Sequence, residues 1–292
     1  MAHADFFQAI HPLWYELADG GAVRALPGAD DARVLDAAHA HGVLVIPLVA
    51  AVHDVALLRA VLRDPARRTA HIRALVALAV DHGYPGLDLD YEHLWGRDDR
   101  ATVQAFVAEL APAMHAAGKT LSAAVPAQTA STSGTAWDYG FLAARLDRVH
   151  IMAYDFHVVG GHAGPIAPQG WIDAVVAHAA ATGHPAAFLL GLPNYGVTPT
   201  WSGTTRRSAA LCSWYAVVDD HMPHCPRGRW LAGRAPHCET SKGLLYFEDL
   251  RSLAAKAAAA RAAGLGGITY WHLGGEPEGF FEMLEGHYPD PP

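Results

Sequence analysis

Seven apolar runs of strand length recur along this chain with helix-period segments among them, and that alternation narrows the fold more than any other feature. The runs are Ala9–Tyr15, Val43–Ala50, Gly86–Glu92, Thr120–Pro126, Arg148–Asp155, Ala187–Pro193 and Gly266–Leu273. Helical periodicity covers Ala29–His41, Pro65–His82, Asp99–Ala117, Trp171–Thr182 and Phe247–Ala263, and the alanine content of these segments suits close packing on a sheet. Strands alternating with helices read as a parallel sheet with crossover helices. Several runs end in chemically distinctive residues: Trp14-Tyr15, Glu92, Gln128 just past Pro126, Tyr154-Asp155, Asn194-Tyr195 and Trp271. A TIM-type (β/α)8 barrel gathers all its C-terminal strand ends at one mouth. A doubly wound sheet would concentrate ligand residues at one switch point, and its nucleotide-binding versions open on a glycine-rich phosphate turn that this chain lacks. The expected class is therefore α/β, a TIM-type barrel, with seven strands countable in place of eight.

Within the third run, Asp88, Asp90 and Glu92 occupy alternate positions, so their side chains share one face of an apolar strand. Three ionisable groups on a buried strand cannot all stay charged without mutual hydrogen bonds, and like charges push at least one pKa upward. A carboxyl that keeps its proton near neutrality is what a general acid requires. A solvated edge strand and a metal-binding Asp-x-Asp are the competing readings, and the intervening leucines weigh against both.

At 292 residues and 51% hydrophobic content the chain can bury a large core. No linker, charge block or low-complexity tract divides it. A single barrel domain over 1–287 is expected, with a small insertion at about 201–243 and a tail at 288–292. A formal net charge of -8 without a basic stripe argues against nucleic acid as a partner. No segment reaches the apolar length of a membrane span, and no signal peptide is visible. Three cysteines, Cys212, Cys225 and Cys238, fall in one stretch. A bridge between Cys225 and Cys238 is one reading. A zinc site with His221, His224 and His237 is another, although the spacing matches no standard ligand pattern.

These motifs resemble glycoside hydrolase family 18, the chitinase-like enzymes, and within it the bacterial spore-germination and cortex-lytic branch. The family's Asp-Gly-x-Asp-x-Asp-x-Glu hallmark lies over positions 85–92, with Gly86, Asp88, Asp90 and Glu92 matched and Pro85 replacing the first Asp. Met152-Ala153-Tyr154-Asp155 matches a second hallmark, and Gly266-Gly267 leading to Trp271 matches a third. Ile10-His11-Pro12-Leu13-Trp14-Tyr15 is similar to that branch's second strand, and Phe247-Glu248-Asp249-Leu250-Arg251-Ser252 to one of its helix starts. On this alignment the first strand and its helix would lie upstream of Met1. Pro85, at the strand's entry, is expected to alter local structure without removing the chemistry.

The resemblance implies retaining hydrolysis of glycans containing N-acetylglucosamine, chitin oligomers or peptidoglycan, assisted by the substrate's own N-acetyl group and without cofactor or metal. It implies Glu92 as the acid, Asp90 and Asp88 as its supporting carboxylates, and Tyr154 as a donor to the acetamide carbonyl. Asp155 and Trp271 are expected substrate contacts, with Trp271 as an apolar floor. Trp14, Tyr15, Gln128, Asn194 and Tyr195 are proposed as lining residues on strand-end position alone. The family also implies an extracellular or cell-envelope location for the full-length protein. Two other functions remain open: a chitinase-like protein that binds sugar without cleaving it, and a metal-dependent transferase that uses Asp88 and Asp90 as ligands.

Overall fold

The computed structural model describes residues 3–287 except 52, 53, 93, 95, 159, 160, 163, 203, 204, 214–235, 241 and 242. The first half runs β1 (Ala9–Ile10), β2 (Leu13–Leu17), β3 (Val23–Ala25), α1 (Ala32–Ala40), β4 (Leu44–Val45), β5 (Leu48–Ala50), α2 (Val55–Arg63), α3 (Pro65–Asp81), β6 (Gly86–Asp90), α4 (Arg100–Ala116) and β7 (Thr120–Pro126). The second continues with α5 (Tyr139–Ala143), β8 (Arg148–Met152), α6 (Gln169–Ala180), β9 (Phe188–Pro193), β10 (Tyr195–Ser202), β11 (Thr205–Ser213), β12 (His237–Thr240), β13 (Gly243–Phe247), α7 (Leu250–Ala262), β14 (Gly267–Trp271) and α8 (Phe280–His287).

The main sheet has the order β14-β9-β8-β7-β6-β5-β2-β3. Its seven strands from β14 to β2 pair in parallel, which is the pattern expected of successive β/α units, and β3 adds an antiparallel edge to β2. All seven expected strands are present. Two of them are interrupted: Pro12 separates β1 from β2, and Pro47 separates β4 from β5. Proline lacks the N–H that a continuous ladder needs, so each run breaks at that residue. The two breaks face each other, and Leu48 N–H donates to the Pro12 carbonyl across them.

Aspartates start the helices. Asp31, Asp54, Asp64, Asp138 and Asp249 each accept backbone N–H groups of the first turn, and Asp249 forms a capping box with Ser252. Asp64 ends α2 and caps α3 with Pro65 at the first helical position, so a single residue divides two helices where the periodicity shows only the second. A separate four-stranded antiparallel sheet, ordered β11-β10-β13-β12, fills much of the interval between β9 and α7. It begins at Tyr195, directly after β9, earlier than the expected insertion. Cys225, His221 and His224 lie outside the described residues, as does the question of a bridge or metal among them.

Strand β6 sits near the middle of the sheet. Gly86 opens it because a Cβ there would stand 2.1 Å from Thr120 Oγ1 and 2.5 Å from the Thr120 carbonyl. Pro85 just before it loses nothing to the ladder, since its carbonyl accepts the Thr120 N–H at 2.9 Å. Leu87, Leu89 and Tyr91 are fully buried in one core with Ile72 and Leu75 of α3 and Phe106 and Leu110 of α4. By alternation, Asp88 and Asp90 point to the opposite face.

Candidate active site

Asp88, Asp90 and Glu92 rise from floor to rim. Asp88 is buried on β6, Asp90 is half-buried at the strand's last position, and Glu92 is half-buried in the turn that follows. Their surroundings differ. Burial opposes ionisation of Asp88, but His150, His11 and Ser122 outweigh it and bring that carboxyl down to about 2. Ser122 Oγ donates to Asp88 Oδ1 at 2.7 Å. His11 Nδ1 and His150 Nδ1 each stand 3.3 Å from Asp88 Oδ2. Asp90 is pushed the other way, up to about 8, by burial first and then by the charges of Glu92 and Asp88 and a hydrogen bond with Glu92. Asp90, the middle member of the row, is therefore held toward its protonated form while hydrogen-bonded to Glu92. Asp90 Oδ1 has no hydrogen-bond partner among the described residues.

Tyr154 follows β8. Burial raises its pKa most, and Asp90, Glu92, Asp155 and Asp88 raise it further, so the phenol stays a proton donor beside the carboxylate row. Room for its ring comes from Gly191 on β9, where a Cβ would stand 2.4 Å from the Ile151 carbonyl and 3.1 Å from Tyr154 Cε1. Asp155 adopts a left-handed φ of 55° and accepts the Tyr195 hydroxyl at 2.5 Å, while burial raises its own pKa. Trp271, the last residue of β14, is 44% exposed, an unusual state for an indole at the end of a sheet strand.

The remaining expected residues divide. Tyr195 joins the site through Asp155, although its own ring is buried. Asn194 is buried and holds both backbone groups of His272: its Nδ2 donates to the carbonyl at 2.6 Å and its Oδ1 accepts the N–H at 2.8 Å. It fixes the backbone beside Trp271 instead of facing outward. Gln128 is 2% exposed, and its Nε2 donates to the Trp137 carbonyl at 2.6 Å, which makes it a tie between loop segments.

Trp14 and Tyr15 do not line the carboxylate face. Tyr15 pairs with Val49 and so with Leu89 on the helix-packed side, and its hydroxyl donates to Asp30 at 2.9 Å beside the Tyr84 hydroxyl. Trp14 is buried 6.3 Å from the Tyr84 ring. A register shift between Leu13 and Tyr15 sets this parity. Glu16 takes the place expected of Tyr15: it pairs with Ala50, which pairs with Asp90, and it is hydrogen-bonded by Arg24. Sequence reasoning also missed Ser122, which the register pairs with Asp88, and His150 and His11, which reach the same carboxylate from β8 and from the break between β1 and β2. Among the described residues these imidazoles and Asp88 are the group whose ligand atoms lie close enough to share an ion.

YdhD of Bacillus subtilis (strain 168), named provisionally as a sporulation-specific glycosylase, is 28% identical over 223 residues, covering 73% of this chain and 52% of that protein. The cortical fragment-lytic enzyme of the same organism is 25% identical over 227 residues, covering 74% of this chain and 52% of its own length. The chain thus spans about half the length of the curated relatives it matches. A chitinase from Chromobacterium violaceum ATCC 12472 has the same fold, with a TM-score of 0.87 at 24% identity over 99% of this chain and 94% of that one. The profile of glycosyl hydrolases family 18 matches residues 36–276, most of the barrel and all three hallmark motifs, and the chain belongs to that family.

Proposed function

We propose that this chain is a retaining glycosidase for glycans containing β-linked N-acetylglucosamine, and that the substrate's acetamide supplies the nucleophile. The arrangement of Tyr154 near Asp90, Glu92 and Asp155 carries this reading, because an acid, an amide acceptor and a hydroxyl donor then lie close enough to feel one another's charge. Glu92 protonates the glycosidic oxygen as the bond to the anomeric carbon breaks. The acetamide carbonyl oxygen attacks that carbon, held in line by the Tyr154 hydroxyl. Asp90 accepts the acetamide N–H and offsets the positive charge of the cyclic oxazolinium-type intermediate, sharing its proton with Asp88. Glu92, now a carboxylate, takes a proton from the water that attacks the anomeric carbon and restores the acetamide. Trp271 offers an exposed indole face to the sugar's C–H groups.

Bacterial cell-wall glycan is the favoured substrate, supported by the names of the Bacillus relatives, and a cell-envelope location follows from the same names. Product analysis after incubation with chitooligosaccharides and with purified peptidoglycan tests the reading. Glu92→Gln is expected to lower turnover by about 100-fold or more while sparing binding. Unchanged turnover in that variant sinks the acid assignment. Binding without any product from the unaltered chain would favour the sugar-binding alternative.

A further inference from the structure

At the floor of the carboxylate row, three potential ligand atoms meet from separate stretches of the chain. His11 reaches in from the break between β1 and β2, Asp88 from β6 and His150 from β8. The two imidazole rings stand 4.6 Å apart at 88° to one another, and the Nδ1 atom of each lies 3.3 Å from the same carboxylate oxygen. Ligands held about 2.0 Å from a tetrahedral centre stand about 3.3 Å apart, which both N–O spacings match, and the three ligand atoms all lie within 4.8 Å of one another.

The surroundings match those of coordinating side chains. Asp88 Oδ1 is occupied by the Ser122 hydroxyl at 2.7 Å, which orients the carboxylate and leaves Oδ2 facing the imidazoles. His11 makes a backbone hydrogen bond with Ile46, yet its buried Nδ1 has no hydrogen-bond partner among the described residues. A histidine tied to a backbone carbonyl by one nitrogen, with the other aimed at a carboxylate, is the arrangement that supports metal ligation.

We propose that His11, Asp88 and His150 form a binding site for one divalent transition-metal ion of the zinc type at the floor of the active site. Two imidazole nitrogens and one carboxylate oxygen suit zinc over magnesium or calcium, which prefer oxygen ligands. The ion is not a reactant. Resting on the function proposed above, its binding withdraws Asp88 from the carboxylate row and so inhibits hydrolysis.

Titration calorimetry of the full chain with zinc chloride, paired with anomalous diffraction at the zinc edge, tests the site. The expected result is an anomalous peak among the three residues and loss of one zinc equivalent in both His11→Gln and His150→Gln. Ser122→Ala, which leaves every ligand in place, is expected to weaken that equivalent by about 10-fold or more. Should the histidine variants fail to fold by circular dichroism, Ser122→Ala and the diffraction peak carry the test. An isotherm unchanged by all three substitutions, or zinc located only near Cys212 and Cys238, overturns the proposal. These readouts do not depend on activity: a metal-free chain that cleaves no substrate would contradict the functional reading, while the isotherm and the peak would still decide the site.

Discussion

Asp90 and Glu92 lie two residues apart, and the proposed mechanism gives them different tasks. Burial and the neighbouring charges of Glu92 and Asp88 hold Asp90 toward its protonated form, whereas Glu92 lies past the strand's end, in the turn that follows. In the proposed mechanism Tyr154 donates to the acetamide, so Tyr154→Phe is expected to lower kcat by roughly 100-fold with a smaller change in KM. Steady-state kinetics on a chromogenic N-acetylglucosamine oligomer reads the difference, and a variant as fast as the parent would remove the residue from the mechanism. On the reverse side of the same strand, Tyr91 meets His71 Nε2 at 2.6 Å, and His71 Nδ1 meets the Gly21 carbonyl at 2.8 Å. Burial lowers His71 from 6.5 to about 4. The unfolded chain therefore takes up this proton first. The contribution is fully present above pH 6.5 and is lost as the pH falls through about 4, a change of roughly 3 kcal/mol. Melting temperature against pH should be shallower across that window for His71→Gln than for the parent, and equal slopes would exclude the effect.

At the scale of elements, two prolines and two glycines shape the strands around the site. Pro12 and Pro47 break neighbouring strands at the same level, and the residue between Ile10 and Pro12 in the first break is His11. Glycine at 191 lets β8 and β9 approach while leaving space for Tyr154. Gly191→Ala is expected to destabilise the fold by about 1–3 kcal/mol and to depress turnover, because the new methyl meets the Ile151 backbone and the Tyr154 ring. Urea denaturation and kinetics on the same preparation check both parts, and a neutral effect would mean that the strand pair can shift apart freely. The parallel strands were legible in the sequence because their apolar runs are long and bounded. The helix α2 was not, since one capping aspartate divides it from α3, and the five-residue α5 is too short to show a period.

Across the whole molecule, side chains tie the start of the chain to the β14 end of the sheet. Among the described residues no backbone ladder links β14 to β2, and β14 is only half-buried along its length, unlike β6 and β7. Aromatic packing spans the interval: Phe6 and Phe7 lie 5.4 Å and 5.8 Å from Phe281 of α8, and Phe7 lies 6.1 Å from Tyr270 of β14. Phe281→Ala is expected to cost about 2–3 kcal/mol, seen as a lower urea midpoint, and an unchanged midpoint would show that this cluster does not hold the ends together. The sequence alone determined the parallel α/β plan, the shared face of Asp88, Asp90 and Glu92, and the family, because periodicity and motif spacing are local properties of a chain. Only the tertiary structure decided which strand-end residues face the site. One register shift turned Trp14 and Tyr15 into the core and Glu16 onto the carboxylate face, and folding brought Ser122 of β7, His150 of β8 and His11 from the break after β1 onto Asp88. Contacts between residues far apart in the chain depend on register, and a one-residue change in register reverses the face on which every side chain lies.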